Sequence, residues 1–122
     1  MLFYIPRGAF VIICARRTEN LRKLKTELGN NCEFFKLDVT SEESVSELKF
    51  NIDSSNLQLD ILINNAGTSD PLRFKDLSEE SWNYVLETNL NGAFRVAKMA
   101  TDLMLKNQKG GSIINIASIL GQ

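Results

Sequence analysis

Four apolar segments of this 122-residue chain each end in polar side chains that could bind a ligand or take part in a reaction. The clearest segment, residues 59–63, leads directly into Asn64-Asn65-Ala66-Gly67. Amides at the end of an apolar strand need hydrogen-bond partners if they are buried, and glycine allows a sharp bend or a close approach to a ligand. The other three segments end in Arg16-Arg17, Asp38-Val39 and Ser118.

This mixture of cations, a carboxylate, amides and a hydroxyl is what a dinucleotide requires of a binding site. Guanidinium groups bind phosphate through forked, charge-assisted hydrogen bonds, and a carboxylate can accept a hydrogen bond from the exocyclic amine of adenine. Each residue also has a plainer explanation: Arg16-Arg17 could be a solvated pair, Asp38 a turn or helix-cap acid, and Ser118 a loop serine. The asparagines could form an ordinary turn. The dinucleotide hypothesis depends on finding all of these residues at strand ends in one chain.

Several other kinds of chemistry are excluded by composition. The chain contains no histidine, so it cannot supply a Ser-His-Asp or Cys-His arrangement or a histidine-containing metal site. Cys14 and Cys32 lack the spacing of metal ligands. Each lies in an apolar run, and we expect both to be buried as free thiols. No metal site is therefore expected, and a formal net charge of -1 predicts no general affinity for nucleic acid or anionic membranes.

The cytosol is the expected location. The longest apolar run, residues 9–15, is far too short to cross a bilayer. Residues 1–6 have neither the basic region nor the apolar length of a signal peptide.

The elements that would position the polar residues alternate between strand and helix. We predict strands at residues 10–15, 34–39, 60–63 and 112–117. Amphipathic spacing predicts three helices: one capped by Thr18 and ended by Gly29, one after a capping box of Thr40 with Glu43, and one from Ser78 to about residue 106. The run Ile61-Leu62-Ile63 is apolar throughout, which favours a strand that is buried on both faces.

The order β-α-β-α-β-α-β implies right-handed crossovers and a parallel sheet. We therefore predict an α/β fold, a doubly wound parallel sheet within a single domain over residues 1–122. In such a sheet all strands end at one edge, and ligands bind outside the carboxyl ends of the strands.

Four segments of the chain resemble the short-chain dehydrogenase/reductase family. A strand followed by Asn-Asn-Ala-Gly is highly specific for this family when two further motifs follow at these distances. These motifs are Thr-Asn-Leu-x-Gly and then Gly-Ser-Ile-Ile-Asn-Ile-x-Ser. The resemblance covers nearly all of residues 8–122 and implies a Rossmann-like fold that catalyses reversible hydride transfer between a nicotinamide and a carbonyl or alcohol. The segments that carry it are Asp38-Val39-Thr40, residues 60–67, Asn89-Leu90-Asn91-Gly92 and residues 111–118.

The resemblance implies a role in cofactor binding for seven residues. Arg16 or Arg17 would hold the 2′-phosphate, so that NADP(H) is expected rather than NAD(H). Asp38 would contact adenine, helped by the backbone of Val39. The remaining residues, lining the adenosine and ribose of the cofactor, would be Asn64, Ala66 and Gly67, with Asn65 bracing neighbouring strands.

Two further residues would be catalytic by the same resemblance. Asn89 would be the asparagine that holds a water of the proton relay, although a polar residue inside a helix is its plainer explanation. Ser118 would be the serine that hydrogen-bonds the substrate carbonyl or its developing oxyanion. The substrate of a full-length relative would be a small carbonyl or alcohol.

The chain departs from the family pattern in two places. A Gly-rich turn, Thr-Gly-x-x-x-Gly-x-Gly, would place helix amides under the pyrophosphate, but only seven residues precede Gly8, and none of them forms that turn. The family's general acid is a tyrosine in Tyr-x-x-x-Lys, whereas Tyr4 and Tyr84 are followed four residues later by Gly8 and Thr88. The sequence thus predicts an incomplete Rossmann-like domain, truncated at both ends and inactive alone.

Three interpretations follow from this incomplete pattern. The chain could be part of a reductase known through a truncated gene model. It could be a non-catalytic protein that binds related subunits, or forms a homo-oligomer, through the apolar face of the helix at 78–106. It could also be an unstable truncated product, because an incomplete sheet exposes strand edges.

Overall fold

The structure, a computed structural model, describes residues 8–106, 108 and 110–118. The strand and helix order predicted from the sequence is confirmed. A π-helical segment, Glu87–Gly92, joins the last two helices, and two short 3₁₀ turns lie at Gly29–Asn31 and Phe74–Asp76. The elements are β1 (Val11–Ala15), α1 (Thr18–Leu28), β2 (Cys32–Lys36), α2 (Glu42–Ser54), β3 (Ile61–Asn64), α3 (Glu79–Leu86), α4 (Ala93–Lys106) and β4 (Ser112–Asn115).

The chain divides into two compact units, one reaching to Asp38 and the other beginning at Val39. Within the described residues, each unit contains one pair of parallel strands, β1 with β2 and β3 with β4. The α/β class with parallel strands is therefore confirmed, while the expectation of a single domain stays a prediction. No helix within the described ranges has the length and apolar character needed to cross a membrane.

In the first unit, β1 and β2 pair from Val11 opposite Cys32 to Ala15 opposite Lys36. This register ends β2 at Lys36, so the predicted strand at 34–39 was placed two to three residues too late. Leu21 of α1 is buried against this pair, together with the inward-facing residues Ile13 and Cys32.

Two smaller expectations for the first unit are wrong. Cys32 is buried as predicted, but Cys14 is exposed, because successive residues of a strand point to opposite faces and Ile13 takes the inward one. The cap of α1 is Arg17, whose backbone is still extended, so Thr18 is already the first helical residue. Gly29 ends the helix as predicted, with a φ of 73°.

In the second unit, α2 begins one residue later than the sequence predicts. Ser41 has the extended backbone of a cap, and its hydroxyl accepts a hydrogen bond from the N–H of Ser44, so the expected capping box from Thr40 is wrong. Helices α2 and α4 pack together and are joined by two ion pairs of 2.6 Å, Lys49 with Asp102 and Lys106 with Asp53. Their buried residues are Val45, Leu48 and Ile52 from α2, and Val96, Met99, Ala100, Leu103 and Met104 from α4.

The strand pair β3–β4 is largely exposed. Its register runs from Ile61 opposite Ser112 to Asn64 opposite Asn115. Leu62 is half-buried, but Ile61 and Ile63 are 50% and 39% exposed. The expectation that β3 is buried on both faces is therefore wrong for the described chain, because α4 packs against β3 only on the face that Leu62 occupies.

Candidate functional site

The loop that follows β3 is tied to the π-helical segment through Asn89. The Oδ1 atom of Asn89 accepts a hydrogen bond from the N–H of Thr68, and its Nδ2 donates to the carbonyl oxygen of Thr68, each at 2.8 Å. Gly67 precedes this contact, and a Cβ at Gly67 would lie 3.6 Å from Asn89 Oδ1. Asn89 therefore fixes the backbone where it leaves the Asn-Asn-Ala-Gly stretch.

The segment that carries Asn89 is not a regular α-helix. Ser78 caps α3 as predicted, with its hydroxyl accepting from the N–H of Ser81 at 3.1 Å. The chain then remains helical to Lys106, but Glu87–Gly92 adopts π-helical geometry. A π-helical turn is rare and occurs often at functional sites. The expected single α-helix is thus corrected to two α-helices joined by a π-helical turn around Asn89.

Asn64 braces the ends of the two strands in this unit. Its Nδ2 donates to Oδ1 of Asn115, its partner in the strand register, at 3.0 Å, and to the carbonyl oxygen of Ala93 at 3.2 Å. The amide thereby links β3, β4 and the first residue of α4. Asn64 thus braces two strands, and the bracing role that the resemblance suggests for Asn65 stays a prediction.

Ser118 follows β4 at the same edge where Asn64 and Asn65 follow β3. It is exposed and lies three residues beyond Asn115, the last residue of β4. Because the two strands are parallel, their carboxyl ends lie together. The second unit therefore brings Asn64, Gly67, Asn89 and Ser118 to one edge, and Ala66 is exposed in the loop between them.

Val39 packs against the π-helical segment at Gly92. A Cβ at Gly92 would lie 2.6 Å from Val39 Cγ2 and 3.2 Å from its carbonyl oxygen. Only a glycine permits this approach without displacing the neighbouring backbone.

The first unit holds the other predicted residues at its own strand ends. Arg16 and Arg17 come directly after β1 and are exposed, and Asp38 is half-buried two residues after β2. Since Leu37 N–H donates to the carbonyl oxygen of Ala15 at 3.0 Å, the two parallel strands remain aligned up to these residues.

Hydrogen bonds favour the ionised form of two carboxylates in the second unit. Ser81 donates to Asp70 Oδ2 and the N–H of Leu72 to its Oδ1, which lowers the pKa of Asp70. Hydrogen bonds from Asn91 and Arg95 likewise lower the pKa of Glu87. Neither carboxyl group therefore retains a proton to donate at neutral pH.

Sequence reasoning missed several residues that the geometry shows to be important. Thr68 and Asn115 are the partners of two predicted residues, and Asn115 stands inside the recognised segment 111–118. Thr88 is 7% exposed, and its hydroxyl lacks a hydrogen-bond partner among the described residues. Among the described residues, no three Cys, Asp or Glu side chains lie close enough together to hold a metal ion.

Comparison with known proteins places the chain in a family. Residues 3–122 match the family model described as short chain dehydrogenase. The chain therefore belongs to the short-chain dehydrogenase family.

Two curated relatives illustrate this membership. Nodulation protein G of Rhizobium sp. (strain N33) is 34% identical over 115 residues, which cover 94% of this chain and 46% of the relative. The 3-oxoacyl-(acyl-carrier-protein) reductase FabG of Thermotoga maritima is 32% identical, with coverage of 98% and 50%. The chain thus spans about half the length of the curated relatives it matches.

Solved structures agree with the sequence comparison. The closed form of serine dehydrogenase complexed with NADP⁺ has a TM-score of 0.89 and 32% identity, covering 98% of this chain and 48% of that one. The serine dehydrogenase of Escherichia coli has a TM-score of 0.87, again with 32% identity, and the matched part is 55% of its chain.

Proposed function

We propose that this chain forms the cofactor-binding part of an NADP(H)-dependent oxidoreductase that transfers hydride between a nicotinamide and a carbonyl or alcohol. The observation that carries the proposal is the double hydrogen bond of Asn89 to Thr68, which joins two family segments at one strand edge. Family membership supports it, as does the likeness to a serine dehydrogenase structure that is complexed with NADP⁺.

We propose that residues at the strand ends of each unit contact the adenosine side of such a cofactor. Arg16 and Arg17 supply guanidinium groups suited to a 2′-phosphate, which favours NADP(H) over NAD(H). Asp38 can accept from the adenine amine, and the main chain of Val39 can bond the ring. The other proposed contacts are Asn64, Ala66 and Gly67, of which the last two are exposed.

The bound nicotinamide would supply or accept the hydride. Ser118 would donate its hydroxyl proton in a hydrogen bond to the substrate oxygen, where negative charge develops during reduction. Asn89 uses one acceptor position and one N–H on Thr68, so its amide keeps one of each for a water. Its first role is to hold the loop, and its second is to position that water.

The proton donor is expected to lie outside these residues. The 122 residues contain no Tyr-x-x-x-Lys, and hydrogen bonds lower the pKa of both Asp70 and Glu87. We propose that the remaining half of a full-length relative supplies the acid. An in-frame Tyr-x-x-x-Lys in the nucleotide sequence downstream would support this, and a Gly-rich turn upstream would complete the site.

A turnover assay separates this proposal from an independent enzyme. Purified 122-residue protein is mixed with NADPH and a panel of ketones, and the loss of absorbance at the nicotinamide band is followed. We predict no turnover above a protein-free blank. Robust turnover by this chain alone would refute the assignment of the proton donor to another segment.

A subunit-binding role is a second candidate, favoured by one exposed apolar stripe. Leu90, Phe94 and Leu105 are 63%, 65% and 72% exposed at helical spacing along the π-helical segment and α4. We propose that this stripe contacts a second copy of the chain or a related subunit. Light scattering is expected to show a dimer that Phe94→Glu dissociates, while Phe50→Glu on α2, 71% exposed, leaves it intact. A monomeric wild type, or equal effects of both variants, would exclude self-association through the stripe.

A further inference from the structure

One arginine joins three separate parts of the second unit. Arg95 lies in the first turn of α4, and its side chain is 22% exposed. Its Nη1 lies 2.5 Å from Glu87 Oε1 in the π-helical segment and donates to the carbonyl oxygen of Val39 at 3.5 Å. Its Nε is 3.8 Å from Glu42 Oε1 at the beginning of α2.

The same parts are held together by two further contacts. Asn91 Nδ2 donates to Glu87 Oε2 at 2.5 Å, so both carboxylate oxygens of Glu87 are engaged. Gly92 lies directly against Val39, where no Cβ could fit without a shift. Val39 is therefore held on its side chain by Gly92 and on its carbonyl by Arg95.

We infer that Arg95 is a positioning residue for the adenine side of the cofactor site, because it holds the main chain of Val39 against the segment that carries Asn89. The inference rests on the proposed function, which gives the Val39 main chain a contact with adenine. It adds a physical link between that contact and the catalytic asparagine, six residues before Arg95 in the chain.

The chemistry of the contacts requires an arginine. A guanidinium group presents donors in several fixed directions, whereas the ammonium of lysine is a compact charge on a flexible stem. In Arg95, Nη1 bonds Glu87 and the Val39 carbonyl oxygen while Nε faces Glu42, so the fixed fork of one guanidinium serves all three contacts. An ordinary surface ion pair contributes little, but Arg95 is largely buried and reaches the backbone of another element.

The test compares Arg95→Met with Arg95→Lys and with a matched control, Lys49→Met. Lys49 makes an ion pair of 2.6 Å with Asp102 between α2 and α4, away from Val39. Amide hydrogen exchange of residues 39–42 and 88–92 is followed by mass spectrometry, and NADPH affinity is measured by fluorescence titration. The hydrogen-exchange measurement is made on the protein without NADPH, so it is independent of cofactor binding.

The two Arg95 variants are expected to accelerate exchange at residues 39–42 by about tenfold, with the carboxyl-terminal half of α2 unchanged. NADPH affinity should fall by about threefold to tenfold, as expected for loss of one positioned main-chain contact. The control variant should change neither quantity. If Arg95→Met does not fold, Arg95→Lys and Glu87→Gln serve for the same comparison.

Unchanged exchange at residues 39–42 in a folded Arg95 variant would overturn the inference. Faster exchange with unaltered NADPH affinity would also overturn it, while wild-type binding of NADPH would leave the proposed function standing. Failure of the wild type to bind NADPH would overturn both the proposed function and the positioning role.

Discussion

The side-chain amide of Asn89 hydrogen-bonds the N–H and the carbonyl oxygen of Thr68 at once, with both distances at 2.8 Å. The backbone that follows β3 is therefore hydrogen-bonded to a side chain of the π-helical segment, in the way that a strand is bonded to a neighbouring strand. The loop after Asn-Asn-Ala-Gly is held in place by this pair of bonds, and its position depends on an amide that can both donate and accept.

Asn89→Asp should therefore destabilise the protein. A carboxylate can accept from the N–H of Thr68 but cannot donate to its carbonyl oxygen, so one bond is lost and two acceptors face each other. We expect the free energy of unfolding to fall by about 1–2 kcal/mol in urea titrations at pH 7. Asn83→Ala, at an exposed site on α3, is the control and should stay within about 0.5 kcal/mol of wild type. Equal effects of the two variants would contradict the importance of the Thr68 contact.

Thr88→Val should stabilise the protein. The side chain is 7% exposed, and its hydroxyl finds no partner among the described residues. Valine has nearly the same shape and removes a buried polar group that makes no bond, so the free energy of unfolding should rise by about 1 kcal/mol. Thermal melting with a Thr101→Val control, on the exposed side of α4, measures the difference. A loss of stability in Thr88→Val would show that the hydroxyl is bonded in the protein.

Stability should decline on the acid side of neutral pH. The pKa values of Glu33, Asp70, Glu87 and Asp102 are lowered, each chiefly by a side-chain hydrogen bond to its carboxylate. A group whose pKa is lower in the folded state stabilises the fold above its unfolded pKa, which is 4.5 for Glu87. That stabilisation is lost as the pH falls through the folded-state value.

The loss of stability at acid pH can be assigned to single carboxyl groups by mutation. Glu87→Gln should give a shallower decline of the melting temperature below about pH 4.5 than wild type, since its own share is removed. Because the chain has no histidine, the melting temperature should be nearly constant between about pH 6 and 8. A steeper acid decline in Glu87→Gln would contradict the lowered pKa of Glu87.

Sequence patterns were sufficient for the order of elements and for the apolar faces of the helices. Leu21, Val45 and Leu48 are buried as their helical spacing predicts, because that spacing places them on one side whatever lies opposite. The strand–loop segment at Asn64 was recognised on different grounds, because the segments at 89–92 and 111–118 follow it at the distances typical of the family.

Long-range contacts decide what the sequence did not reveal. The caps of α1 and α2 are Arg17 and Ser41, each one residue from the predicted Thr18 and Thr40. In both cases the cap is the last residue whose backbone is still extended before the helix begins. The π-helical turn depends on packing against Val39 and on the bonds to Thr68, which are both distant in the chain. Burial of Ile61 likewise depends on which elements cover the sheet, and this information is not contained in the strand itself.

The proposal that the chain binds the adenosine side of NADP(H) is tested most directly by titrating it with NADPH and NADH. We predict tighter binding of NADPH by about tenfold or more, since a guanidinium on the 2′-phosphate contributes a charge-assisted hydrogen bond. The Arg16→Ser/Arg17→Ser double variant should lose this preference, while Arg22→Ser/Lys23→Ser on α1 should keep it. Equal affinities in the wild type, or an unchanged preference in the Arg16 and Arg17 double variant, would contradict binding of the 2′-phosphate by these arginines.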